Sequence, residues 1–150
     1  AYVLIPQLPA EQNGWAEVSD QLYELIQNLL KIRGIDRGNI SLTGHSMGGT
    51  GTWSIGAAYP SLFARIAPLS GSVRSPESTA AKLSDMPVWA FVGSEDTIVP
   101  PESSEQTIGW LMELSDQAKI TVLEGADHFS VPSLAYLDGE RNLVGWLIGG

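Results

Sequence analysis

Short apolar runs alternate along this chain with longer segments in which apolar residues recur every three or four positions. Residues 2–5 form the first apolar run, which Pro6 ends, and this pattern predicts a buried strand. Residues 6–14 predict a loop. Residues 16–33 predict an amphipathic helix that stops at Gly34, because its apolar positions share one face: Val18, Leu22, Leu25, Ile26 and Leu29.

The rest of the chain continues the same alternation. The pattern predicts strands at residues 40–43, 63–69, 86–92 and 119–123, and helices at residues 47–59, 102–115 and 133–148. Residues 70–85 are polar and predict a loop with a short helix. Strands that alternate with helices pair in parallel through right-handed crossovers, which places helices on both faces of the sheet. We therefore expect one α/β domain over residues 1–150, with ligands bound beyond the carboxyl ends of the strands.

Composition limits the partners of this domain. The 150 residues are 43% hydrophobic, and the mean hydropathy of +0.04 is typical of a globular protein. A net charge of −9 repels phosphate backbones and anionic headgroups, so we expect no nucleic-acid partner. No apolar run approaches the roughly 18 residues that a membrane span needs. Without a targeting pattern, we expect a cytoplasmic location by default and leave secretion open.

Cysteine and histidine usage restricts the chemistry further. The chain has no cysteine, which excludes disulfides, thiolate nucleophiles and cysteine-based metal sites. Its two histidines, His45 and His128, are too few for a multi-histidine zinc site. We therefore expect neither a metal nor a cofactor, and few candidates remain for a base that works at neutral pH.

The sequence Gly44-His45-Ser46-Met47-Gly48 lies between a predicted strand and a predicted helix. A tight turn there would lift the Ser46 hydroxyl above the sheet. Because the turn is crowded, we expect that only very small residues fit at the two flanking positions, which are Gly44 and Gly48. The Met47 N–H at the start of the helix would be a donor to a developing oxyanion. The same residues lack the lysine of a phosphate-binding P-loop and the third glycine of a dinucleotide fingerprint.

A serine hydroxyl becomes nucleophilic when a base takes its proton and a carboxylate orients that base. His128 follows the predicted strand 119–123, whereas His45 adjoins Ser46 and is expected to pack or orient instead. Asp96 follows the strand 86–92 and is the expected carboxylate, with Glu95 as the open alternative. Asp127 is too close to His128 in sequence to orient it. We therefore predict that Ser46, Asp96 and His128 form a catalytic triad.

Several segments together carry a resemblance to known proteins: residues 3–7, 44–49, 57–60, 63–64, 67–71, 93–96, 99–100 and the loop around His128. They resemble the esterase branch of the α/β-hydrolases, including phospholipase/carboxylesterase-like, polyhydroxybutyrate-depolymerase-like and feruloyl-esterase-like proteins. The order Ser46, Asp96, His128 matches that superfamily. Asp127 departs from it, since many relatives have glycine before this histidine.

The resemblance also implies that part of the usual fold lies outside this sequence. Residues 2–5 correspond to the fourth strand of the superfamily, so three strands and a helix, with the second oxyanion donor, are not accounted for. The strand at residues 2–5 could pair directly with the strand at 40–43 in a five-stranded sheet. We favour the alternative, in which a preceding segment or a separate chain completes the sheet. A strand position left empty in the sheet would expose the backbone donors of its neighbours.

These observations predict a serine hydrolase that cleaves carboxylic esters through an acyl-enzyme intermediate. The expected partner is a small-molecule ester. Two alternatives stay open, a peptidase or acylaminoacyl hydrolase with the same triad, and a non-catalytic binding module of this fold. Gln7, Trp15 and Val99 are pocket candidates because they follow predicted strands, although packing in the core or in loops explains each equally well.

Overall fold

The computed structural model describes residues 1–32 and 34–149. A parallel sheet of four strands runs in the order β1 (Ser41–His45), β2 (Arg65–Leu69), β3 (Val88–Gly93) and β4 (Ala118–Leu123). Six α-helices precede, connect or follow these strands within the described ranges: α1 (Ser19–Leu29), α2 (Met47–Ala58), α3 (Pro76–Lys82), α4 (Glu102–Leu114), α5 (Val131–Tyr136) and α6 (Leu143–Leu147). A 3₁₀ turn, Trp15–Val18, leads into α1.

Two apolar cores lie on opposite faces of the sheet, because successive strand side chains point to opposite sides. In β2 and β3, Ile66 and Val88 join one core, whereas Ala67 and Trp89 join the other. The first core includes residues of α1 to α4, and the second includes residues of α5 and α6. Helices therefore cover both faces, as the alternation of elements predicts.

The four predicted strands from residue 40 onward are confirmed, with ends shifted by up to two residues. The strand predicted at residues 2–5 is wrong. Tyr2, Val3 and Ile5 are 73%, 81% and 86% exposed, and no strand among the described residues pairs with this segment. The five-stranded alternative is wrong as well, since β1 pairs only with β2 among the described residues. An apolar run becomes a strand only where another strand supplies its hydrogen bonds.

Two helix predictions also need correction. The single helix predicted over 133–148 is two short helices, because the Asp138 carboxylate accepts the N–H groups of Glu140 and Arg141 and thereby forms a turn. Asn142, with φ 50°, then caps the start of α6. The helix predicted over 16–33 begins as the 3₁₀ turn and its α-helical part ends at Leu29; residue 33 lies outside the described residues.

The described helices are at most 13 residues long. Within residues 1–32 and 34–149, none combines the length and the apolar content needed to cross a membrane.

Candidate active site

Ser46 lies on a strained turn between β1 and α2. Its φ of 58° and ψ of −116° are rare for a residue with a side chain, and its N–H donates to the Leu69 carbonyl at 2.9 Å. A Cβ on Gly44 would lie 2.6 Å from the Gly48 carbonyl oxygen, so Gly44 must be glycine. A Cβ on Gly48 would meet nothing within 4 Å, so the expectation of a size limit at both positions holds only for Gly44.

Two consecutive hydrogen bonds connect three side chains from distant parts of the chain. The Ser46 Oγ lies 2.8 Å from His128 Nε2, and His128 Nδ1 lies 2.7 Å from Asp96 Oδ2. The other Asp96 oxygen, Oδ1, accepts the N–H groups of Ile98 at 3.0 Å and Val99 at 2.8 Å. His128 and Asp96 are only 4% and 5% exposed, so little water competes for these contacts.

The electrostatics of Asp96 determine which imidazole nitrogen carries a proton. Burial by itself raises the pKa of this carboxyl, but hydrogen bonds from the Val99 N–H, the His128 ring and the Ile98 N–H outweigh burial and lower the pKa. Asp96 is therefore ionised at neutral pH and accepts a hydrogen bond from the His128 Nδ1–H. In neutral His128 this leaves Nε2 unprotonated, with its lone pair directed at the Ser46 hydroxyl.

The acidic residues near His128 in sequence or in the fold differ in their exposure and in their hydrogen bonds. Glu95 has an exposed side chain, and its N–H donates to the Ala126 carbonyl at 3.0 Å. The Asp127 carboxylate accepts the Ser130 N–H at 2.9 Å and is also exposed. Asp96 is therefore the carboxylate that contacts His128, while Asp127 shapes the turn that leads into α5.

His45 contacts the backbone of His128 rather than the Ser46 hydroxyl. Its Nε2 lies 2.8 Å from the His128 carbonyl oxygen, and the two ring centroids are 4.6 Å apart. A carbonyl oxygen only accepts, so His45 Nε2 carries the hydrogen. Burial is the main reason that the pKa of His45 is lowered, and the nearby His128 also lowers it, which keeps His45 neutral.

The start of α2 offers backbone donors beside Ser46. The first hydrogen bond of this helix runs from the Thr50 N–H to the Ser46 carbonyl at 2.9 Å. The N–H groups of Met47, Gly48 and Gly49 precede it and have no acceptor inside the helix. Because Met47 directly follows Ser46, its N–H lies at the positive end of the α2 dipole, where a negative charge is stabilised. Its side chain is 53% exposed.

Two of the three pocket candidates line one cavity, and the third contacts Asp96. Gln7 and Trp15 line a cavity of about 330 Å³ whose lining includes none of the three hydrogen-bonded residues. Trp15 also packs closely on α2, since a Cβ on Gly51 would lie 2.8 Å from its side chain. Val99 contributes its N–H to Asp96. The pocket roles of Gln7, Trp15 and Val99 stay predictions.

Three further residues at the site were not singled out by sequence analysis. Ile98 binds Asp96 through its N–H. Ser70, with φ 44° and 1% exposure, lies close enough to help lower the pKa of Asp96, although its hydroxyl makes no hydrogen bond of normal geometry with any described residue. The Phe129 ring lies edge-on to His128. The signal available for all three was their place at a strand end or beside a candidate residue.

Among residues 1–32 and 34–149, no cluster of three or more histidine, aspartate or glutamate side chains has the spacing to hold a metal ion.

The chain is similar to known proteins in sequence and in fold. The sequence matches the dienelactone hydrolase family over residues 7–137. The structure is similar to a thermostable esterase, with a TM-score of 0.77 and 30% identity over 86% of this chain. It is also similar to the esterase PE8, with a TM-score of 0.65 and 25% identity over 81% of this chain. The match to a feruloyl esterase module from Clostridium thermocellum has a TM-score of 0.59 and 22% identity over 71% of this chain, and supports the fold alone.

These comparisons confirm the predicted α/β-hydrolase fold and the resemblance to esterases. No curated protein matches the sequence significantly. The chain spans 35% of the thermostable esterase, 60% of PE8 and 46% of the feruloyl esterase module.

Proposed function

We propose, from the membership of this chain in the dienelactone hydrolase family, that its serine, histidine and aspartate hydrolyse carboxylic esters. The observation that carries the proposal is the pair of hydrogen bonds from Ser46 through His128 to Asp96, at 2.8 and 2.7 Å. A serine hydroxyl in contact with an imidazole that a carboxylate orients is the arrangement required for nucleophilic catalysis.

In the proposed reaction, Ser46 Oγ attacks the ester carbonyl carbon while His128 Nε2 takes the hydroxyl proton. The ionised Asp96 stabilises the imidazolium that forms. The negative oxygen of the tetrahedral intermediate lies against the Met47 N–H. The C–O bond to the alcohol then breaks, and His128 returns its proton to the leaving oxygen. A water molecule attacks the acyl-enzyme by the same steps and releases the acid.

The family name points to lactones, which are cyclic carboxylic esters. The same chemistry opens such a ring, with the alcohol product tethered to the acyl group on Ser46. An open-chain ester and a lactone therefore belong to one reaction type at this site. A lactone such as dihydrocoumarin tests the cyclic case beside open-chain esters.

The proposal is tested by the Ser46→Ala variant with p-nitrophenyl acetate, dihydrocoumarin and a peptide p-nitroanilide. We expect ester hydrolysis by the wild type and a loss of up to about 10⁶-fold in kcat for the variant. Turnover of the anilide at a rate equal to that of the esters would favour the peptidase. No turnover of any of the three substrates would favour a binding module. Residual ester hydrolysis equal to the wild type in Ser46→Ala would overturn the mechanism.

We also propose that a segment outside these 150 residues, or a separate chain, covers the free edge of β1 and supplies a second oxyanion donor. The support is that β1 pairs on one side only among the described residues and that residues 2–5 do not cover its other edge. Intact mass and N-terminal sequencing of the active material test this proposal. A fully active species of 16.1 kDa alone would contradict it.

A further inference from the structure

Phe129 is a large apolar side chain that the packing of the protein does not explain. It is 74% exposed and belongs to neither of the two apolar cores. Its ring centroid lies 5.5 Å from that of His128, with an interplanar angle of 84°, which is an edge contact. The chain has a net charge of −9, yet this exposed ring is apolar. It lies against the imidazole that contacts Ser46.

The chemistry of the site distinguishes the two arms of an ester. His128 Nε2 protonates the leaving oxygen, so the alcohol arm departs on the His128 side of the reacting carbon. The acyl arm stays bound to Ser46 Oγ and points elsewhere. Phe129 is an exposed apolar side chain whose ring contacts that of His128, the residue that protonates the leaving alcohol.

Charged groups near Phe129 restrict the alcohol further. Asp127 lies two residues away with an exposed carboxylate, and hydrogen bonds from the Ser130 hydroxyl and N–H lower its pKa. The Glu95 side chain is also exposed, and its N–H is bonded to Ala126 in the same loop. The acidic side chains of this loop and of the segment bonded to it repel an anionic alcohol arm and favour an uncharged one.

We propose that the Phe129 ring binds the alcohol arm of the substrate and selects esters of uncharged aromatic or apolar alcohols. This inference rests on the proposed ester hydrolase function. Phe129 then contributes to acylation, when the alcohol is present, and not to deacylation, when the alcohol has left.

Three esters distinguish an effect of Phe129 on the alcohol arm from an effect on the acyl arm. Benzyl acetate and 2-methoxyethyl acetate share the acyl group and have alcohols of similar acidity, whereas 2-methoxyethyl hexanoate changes only the acyl group. We expect Phe129→Ala to lower kcat/KM for benzyl acetate about tenfold, the scale of one aromatic contact. Both methoxyethyl esters should stay within about twofold of the wild type, since the substituted side chain is exposed and its loss does not disturb the core.

Two control variants complete the experiment. Phe129→Tyr keeps the ring and should keep the preference for benzyl acetate. Leu137→Ala removes another apolar side chain, 81% exposed, and should leave all three esters unchanged.

An equal loss with all three esters, a loss confined to the hexanoate, or no loss with any ester would overturn the role of Phe129. Each of these results is distinct from failure of the proposed function, in which Ser46→Ala hydrolyses the esters as fast as the wild type.

Discussion

Replacing Asp96 with asparagine changes the charge and one atom of the site while preserving its shape. In the wild type, Asp96 Oδ1 accepts two backbone N–H groups and Oδ2 accepts His128 Nδ1. In Asp96→Asn, the amide oxygen must take the place of Oδ1, since the N–H groups of Ile98 and Val99 need an acceptor. The amide NH₂ then faces His128.

The consequence is a reversed imidazole tautomer. A donor now faces His128 Nδ1, so the ring moves its proton to Nε2, which lies 2.8 Å from the Ser46 Oγ. An Nε2 that carries a proton does not accept another. Loss of the base and of the carboxylate that stabilises the imidazolium lowers kcat by about 10³–10⁴-fold, equivalent to roughly 4–5.5 kcal/mol in the barrier.

The assay is steady-state hydrolysis of p-nitrophenyl acetate near neutral pH, with the rate of fluorophosphonate labelling of Ser46 as a second measure of its nucleophilicity. Thermal unfolding checks that Asp96→Asn keeps its fold. Glu95→Gln is the matched control, because it neutralises the adjacent acid, whose side chain is exposed, and should retain full activity.

Two results would refute this reasoning. Asp96→Asn could retain activity within tenfold of the wild type, which would mean that the carboxylate does not set the tautomer. Alternatively, Glu95→Gln could lose as much activity as Asp96→Asn, which would assign the role to the other acid.

Three further predictions concern the surroundings of the site. Gly44→Ala should lower Tm by about 5 °C or more, because its Cβ meets the Gly48 backbone, whereas Gly48→Ala should not lower Tm, as shown by circular dichroism. His45→Leu should lower kcat about tenfold at constant KM by leaving the His128 carbonyl without a donor, and His45→Gln should restore most of it; equal losses would contradict a positioning role. Because the folded pKa of Asp96 is lowered, its ionised form stabilises the fold above about pH 4, and this contribution is lost as pH falls through the lowered pKa. Urea unfolding at pH 6 and pH 3 should therefore show a smaller pH dependence for Asp96→Asn; an unchanged dependence would contradict the shift.

The three hydrogen-bonded side chains were predictable because each follows an apolar run that the sequence marks clearly. Parallel pairing brings the carboxyl ends of such runs to one edge, so Ser46, Asp96 and His128 could be grouped from the sequence alone. The choice between Asp96 and Glu95 could not be made in this way. It depends on the N–H groups of Ile98 and Val99, whose directions are set by a turn rather than by a hydrophobic pattern.

Other features depend on contacts that local sequence does not encode. Residues 2–5 have the composition of a strand, but a strand needs a partner edge, and partner identity is not local information. The break between α5 and α6 arises from carboxylate and amide side chains of Asp138 and Asn142, which cap the backbone within a pattern that is otherwise helical. The edge contact of Phe129 with His128 required the ring orientations themselves.

The separation of the interacting side chains along the chain has a consequence for folding. Ser46 and His128 are 82 residues apart, and their contact requires β1, β2, β3 and β4 to be paired in register. Such distant contacts form more slowly than the local contacts within helices. During refolding, helical circular dichroism should therefore return before Ser46 becomes reactive. The time course of Ser46 labelling then measures how fast the sheet reaches its final pairing.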